Sequence, residues 1–168
     1  MRTLATGAAL LLLAVGAAHA GPAEDCNQLR DPARQLKGCT AYIKLGKATP
    51  QNLATAHLNR ANIYAQRSLY ERAFADYAAA IALDGQNPLI FYNRGNAYFD
   101  TRQFQLAIAD YSQAIGLDPR FPLAHFNRGL ALERLGDTAA AAADYRRALA
   151  LDPAATNVQK RLQGLQSQ

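Results

Sequence analysis

The groups with chemistry to offer in this sequence are two histidines past the first twenty residues, His57 and His125, two cysteines, Cys26 and Cys39, and a recurring set of acids and bases. Paired imidazoles can hold a metal ion, and an acid facing a base can move a proton. His57 and His125 each occupy the place that Phe91 holds in an intervening 34-residue unit, so two units separate them and one ion would not reach both. The expected role is interhelical packing. Asp76, Asp110 and Asp144 recur at the same interval, as do Arg60, Arg94 and Arg128. An active site needs unlike groups converging once, so strict recurrence points to structural Arg to Asp pairing along a stack. The sequence carries no glycine-rich phosphate loop, no His-Glu-x-x-His and no Gly-x-Ser-x-Gly. We expect no enzyme, no cofactor and no metal ligands.

The cysteines are read with the start of the chain. Arg2 precedes an apolar stretch from Leu4 to Val15, and Ala18-His19-Ala20 has the small-x-small pattern of a signal-peptidase site. The stretch falls short of the roughly 20 apolar residues that span a bilayer, so residues 1–20 are expected to be a cleaved leader, leaving no membrane span in the mature form. That places the product in the periplasm or the medium, where a lone cysteine pair forms a disulfide more readily than a redox or metal site. On one continuous helix the two would stand roughly 20 Å apart, too far to bridge. The chain must therefore turn back between them, and Asp31-Pro32 supplies the break as N-cap and first helical residue. Two reduced, separately buried thiols are the alternative.

The 168 residues contain 36 alanines, no tryptophan and only 18 glycines and prolines, the balance of closely packed helices. A net charge of +5 without a basic run gives no reason to expect nucleic acid as a partner. Asn59-Arg60-Ala61 returns as Asn93-Arg94-Gly95 and Asn127-Arg128-Gly129, and Asp76-Tyr77 as Asp110-Tyr111 and Asp144-Tyr145, without insertion or deletion. Apolar residues at spacings of three and four predict two helices per unit, in the middle unit about 89–101 and 105–117. Small residues (Ala61, Gly95, Gly129; Ala73, Ala107, Ala141; Ala80, Ala114, Ala148) recur where helices must approach, beside the large Tyr77, Tyr111 and Tyr145. A leucine at Gly129 should overpack such a crossing, whereas an alanine there is expected to be neutral or stabilising.

With Gly95, Tyr98, Ala107, Tyr111, Ala114 and Pro119 at their spacings, and Gly129, Leu132, Ala141, Tyr145, Ala148 and Pro153 after them, residues 54–155 resemble three tetratricopeptide repeats. The resemblance implies an all-α fold, a right-handed α-solenoid of three helix pairs that serves as an interaction module. The family's tryptophan place carries His57, Phe91 and His125, and its leucine place Arg60, Arg94 and Arg128. Organisation is then expected as leader 1–20, a disulfide-bearing N-terminal half-repeat cap 21–53, repeats 54–87, 88–121 and 122–155, and a capping helix 156–168. In the cap, the helix 32–45 would carry Cys39 and pin a preceding strand or turn, making eight principal helices. The last of these would run from about Ala154 to Leu165, with Val158, Leu162 and Leu165 inward.

In such a stack the first helices line the concave groove, which here would present Asn59 and Asn62, then Tyr92, Asn93 and Asn96, then Phe126 and Asn127, with Leu58 and Leu130 beside them. The Asn59, Asn93 and Asn127 row is expected to meet the backbone of an extended protein or peptide segment, with Tyr92 and Phe126 free of the core and turned to the ligand. Interhelical contacts are the alternative use of these asparagines. Family members that clamp acidic C-termini of chaperones use lysines and an arginine at such places. Thr55, Leu58 and Leu123 stand there instead, so that partner is not implied. The reading is an exported scaffold or adaptor. The alternatives are a self-assembling structural solenoid, with possible self-association end to end, and a non-catalytic accessory subunit of an envelope enzyme.

Overall fold

The computed structural model describes residues 21–166, and the expected leader lies outside the described residues. Nine helices and no strand occur among the described residues. Three pairs form the array: α3 (Pro50–Gln66) with α4 (Tyr70–Leu83), α5 (Pro88–Asp100) with α6 (Phe104–Leu117), and α7 (Pro122–Arg134) with α8 (Thr138–Leu151). Proline at the first helical position begins α3, α5 and α7, where its missing N–H is no loss, and Thr49 and Asn87 cap the first two through their side chains. Each pair turns on one left-handed residue at the same repeat position: Ser68 (φ 57°), Arg102 (φ 61°) and Gly136 (φ 85°). The next amide closes the turn onto a carbonyl five residues back, as in Leu69 N to Tyr64 O at 2.8 Å.

Successive pairs stack through α4 on α5 and α6 on α7, and α3, α5 and α7 also meet one another directly. Crowding of the first helices places them on the inner side of the curve. On the second helices Tyr77, Tyr111 and Tyr145, together with Ala73, Ala80, Ala107, Ala114, Ala141 and Ala148, are at most 1% exposed. Two further buried rows, Ala56, Ile90 and Ala124 with Ile63, Ala97 and Ala131, pack the inter-repeat seams and were not singled out from sequence.

Gly95 and Gly129 do more than permit close approach. A Cβ on Gly129 would stand 2.6 Å from Tyr145 Cε1, and one on Gly95 2.7 Å from Tyr111 Cε1. The expectation that alanine is harmless at Gly129 is therefore corrected, because a buried aromatic ring occupies the space.

The N-terminal cap contains a helix where a strand or turn was expected. α1 (Pro22–Asn27) starts at a proline, with the Glu24 carboxylate accepting from the Gly21 amide at 3.1 Å, and packs on α2 (Pro32–Leu45) and α3. That adds a ninth helix to the eight foreseen. α2 begins at Pro32 as predicted, and Asp31 accepts from the amides of Ala33 and Arg34. The Cys26–Cys39 disulfide joins α1 to α2 with a Cα separation of 4.3 Å, both cysteines buried. Gly38 lets the helices touch: a Cβ there would lie 2.7 Å from the Cys26 nitrogen. α3 starts at Pro50, ahead of the expected first-repeat boundary at residue 54. At the other end α9 (Thr156–Gln166) buries Val158, with Leu162 and Leu165 packed around the same cluster. No helix among the described residues is long and apolar enough to cross a membrane.

Candidate functional site

Residues at i, i+3 or i+4, i+7 and i+11 share one face of a helix. On α5 these are Leu89, Asn93, Asn96 and Asp100, and the same repeat positions are Thr55, Asn59, Asn62 and Gln66 on α3 and Leu123, Asn127, Leu130 and Arg134 on α7. Two clefts of about 250 and 260 Å³ open along this face. Both are lined by Asn96 and Asp100, so the two clefts adjoin at the end of α5.

The second helices set the amides of this groove. Tyr77 donates its hydroxyl hydrogen to Asn62 Oδ1 at 2.7 Å, and Tyr111 donates to Asn96 Oδ1 at 2.8 Å. Burial pushes both phenols well above the ordinary tyrosine value, so they stay protonated and keep donating. With their oxygens engaged, Asn62 and Asn96 turn NH2 groups that make no hydrogen bond among the described residues. In the third repeat Leu130 takes the asparagine's place, and Tyr145 donates instead to Glu133 Oε2 at 2.7 Å.

The asparagine row is not uniform. Asn59 donates to Cys26 O at 3.2 Å and to Asn27 Oδ1 at 3.3 Å, which ties it to α1. Asn127 donates to Asn96 Oδ1 at 2.8 Å and to Tyr92 Oη at 3.2 Å, leaving its own oxygen as the open group. Only Asn93 of the three makes no hydrogen bond among the described residues. The repeat places the three identically, but Asn59 faces the cap and Asn127 faces a tyrosine.

Tyr92 and Phe126 are likewise corrected. Tyr92 packs its ring 4.8 Å from Phe121 and 6.0 Å from Tyr111, and Phe126 lies 5.7 Å from Tyr145. Both are half-buried parts of the core clusters, because glycine at 95 and 129 draws the second-helix tyrosine up against the first helix. Leu58, at the same position in the first repeat, is buried outright.

The arginines and aspartates pair inside each helix pair. Arg60 holds Asp76, Arg94 holds Asp110 and Arg128 holds Asp144, each through two bonds of 2.7 to 2.8 Å, with the aspartates 5 to 6% exposed. The aspartate raises each guanidinium further above its ordinary value. His57 and His125 join them through Nδ1, 2.8 Å from Asp76 and 3.4 Å from Asp144, and the buried His125 Nε2 makes no hydrogen bond among the described residues. This is a fastening between helices, set apart from the groove clefts. No group of three His, Cys, Asp or Glu among the described residues is placed to hold a metal ion.

A tetratricopeptide repeat model matches residues 92–156, and a second TPR repeat model matches residues 61–102. The chain belongs to the tetratricopeptide repeat family. The second such domain of human RPAP3, solved in complex with the HSP70 peptide SGPTIEEVD, is 32% identical, covers 70% of this chain and 98% of its own, and has a TM-score of 0.66. The TPR domain of Arabidopsis OM64 is 28% identical over 70% of this chain and 98% of its own, with a TM-score of 0.67. MamA has a TM-score of 0.71 at 20% identity, over 80% of this chain and 72% of its own, a likeness of fold alone. No curated protein matches the chain. Tetratricopeptide domains serve as protein-interaction modules, and this one carries that module between two caps.

Proposed function

We propose that the protein is an exported scaffold that holds an extended protein segment in its concave groove. The observation that carries this reading is the set of open amides along it: the NH2 groups of Asn62 and Asn96, the whole amide of Asn93 and the oxygen of Asn127. Open amide donors and acceptors along a groove match the carbonyls and amides of an extended backbone. The related human domain was solved with a peptide, which supports the groove as the working face. That peptide reads Glu-Glu-Val-Asp at its end, whereas Thr55, Leu58 and Leu123 stand here at the places where basic side chains would receive such a tail.

Export is supported by the leader-like residues 1–20 and by the buried Cys26–Cys39 disulfide, which suits an oxidising compartment such as the periplasm or the medium. End-to-end self-assembly is disfavoured by α1 and α9, which cover the two ends of the array.

Asn93→Ala tests the reading, since that side chain makes no hydrogen bond among the described residues. With the full chain and a degenerate peptide library as probe, losing one or two backbone hydrogen bonds should weaken binding by roughly five- to tenfold. Arg146→Ala on the exposed side of α8 should change nothing. Parent-like binding by Asn93→Ala, with loss in Arg146→Ala, would move the site to the outer face.

A further inference from the structure

Asp100 is the last residue of α5 and stands in the middle of the groove, lining both clefts. Its carboxylate makes no ion pair and no hydrogen bond among the described residues. Three conditions make this a poor place for an anion. The end of a helix is the negative pole of its dipole, which repels carboxylates. Asp100 is exposed at the groove surface, and the protein packed beside it still raises its carboxyl above the ordinary value. The nearest repeat equivalents avoid the problem, with neutral Gln66 ending α3 and Arg134 ending α7, where a cation is favoured. Arg134 does not neutralise Asp100: its guanidinium lies 5.4 Å from the Phe99 ring centre and 6.0 Å from that of Phe104.

The cleft beside Asp100 is walled by Asn96, Phe99, Tyr111, Asn127 and Leu130. Apolar walls suit a methylene stem, amides suit its flanking backbone, and the carboxylate waits at the end. We propose that the segment held in the groove presents a lysine or arginine side chain to Asp100, its stem against Phe99 and Leu130. This rests on the groove-binding reading above and gives it a partner chemistry, a basic extended peptide and not an acidic tail. Charge complementarity carries it, because Asp100 is the unpaired charge shared by both clefts.

The test uses the full chain and three degenerate peptide pools of equal length, one with a fixed Lys or Arg, one with a fixed Asp or Glu, and one without charge. The parent should bind the basic pool best. Asp100→Asn should lower affinity for that pool by roughly tenfold while leaving the uncharged pool unchanged, the loss expected for one charge-assisted contact. A basic preference that survives in Asp100→Asn would overturn the proposal, as would equal affinity for basic and acidic pools. A preference for the acidic pool that disappears in Arg134→Gln would assign the groove to an anionic ligand, with groove binding intact. If the parent binds none of the pools, the groove reading itself fails.

Discussion

Tyr111 and Asn96 belong to the two helices of one repeat, and the bond between them, from the Tyr111 hydroxyl to Asn96 Oδ1 at 2.8 Å, couples core to groove. The ring fills the space above Gly95 while its hydroxyl fixes which end of the amide faces outward. Tyr111→Phe keeps the packing and removes the orienting donor. It should lower stability by about 1 kcal/mol in chemical denaturation. If the groove works through its amides, it should also weaken peptide binding more than that small loss of folding explains. A variant that is destabilised but binds like the parent would mean that Asn96 holds its pose without Tyr111.

Glycines separate by what lies above them. Gly129→Ala must push aside the buried Tyr145 ring, and overpacking of this kind costs about 1 to 3 kcal/mol. Gly116, near the end of α6, has nothing within 4 Å of an added Cβ, so Gly116→Ala should stabilise by up to about 1 kcal/mol through helix propensity. Thermal melts of the two variants should move in opposite directions. Ala61 occupies the same place beside Tyr77 in the first repeat, so a Gly129→Ala protein that melts like the parent would mean that the third repeat can shift its ring in the same way.

Arg94 stands at the place that the family's pattern fills with leucine, and it holds Asp110 through two bonds of 2.7 Å. Removing one partner strands a charge in a place 6% exposed, so Arg94→Ala should cost about 3 kcal/mol or more. Replacing both, Arg94→Leu with Asp110→Ala, leaves no stranded charge and should recover most of the loss. Equal destabilisation of single and double variants in urea would mean that the pair contributes packing that leucine cannot supply.

The disulfide holds the helix that sequence reading missed. Breaking it through Cys39→Ser should cost at most about 3 kcal/mol in the chain-entropy model. Hydrogen exchange should rise first in α1, whose Cys26 carbonyl accepts from the Asn59 side chain. Uniform exchange across all helices would show that the cap and the array unfold together.

What could be read beforehand was whatever the 34-residue period repeats: the helix pairs, the small-residue crossings, the buried tyrosines and the start of α2 at Pro32. A period, however, makes equivalent positions look equal. Asn59 and Asn93 have the same place in the unit and different neighbours, the cap in one case and open groove in the other. α1 escaped notice because six residues carry no helical periodicity, although Gly21-Pro22 with Glu24 is a helix start. Asp100 did leave a signal in the sequence, as the acid in a column that otherwise holds Gln66 and Arg134.

That carboxylate gives the last expectation, and its sign follows from the shift. Asp100 titrates above the ordinary aspartate value in the folded chain, so the folded state holds its proton more tightly than the unfolded state. The associated stability is fully present below the ordinary carboxylate range and is lost as pH rises through the raised value. At neutral pH the unliganded protein therefore bears an ionised, partly desolvated group, and Asp100→Asn should melt higher than the parent. The gap should shrink as pH falls through the titration of Asp100 and close below about pH 4. Tyr77 and Tyr111, the titratable neighbours from α4 and α6, stay neutral throughout this window and contribute nothing to the change. Saturating basic peptide should then reverse the order, raising the melting temperature of the parent above that of Asp100→Asn. If the parent melts higher without any ligand, a cation of the chain itself reaches Asp100 in solution, with Arg134 the first to examine.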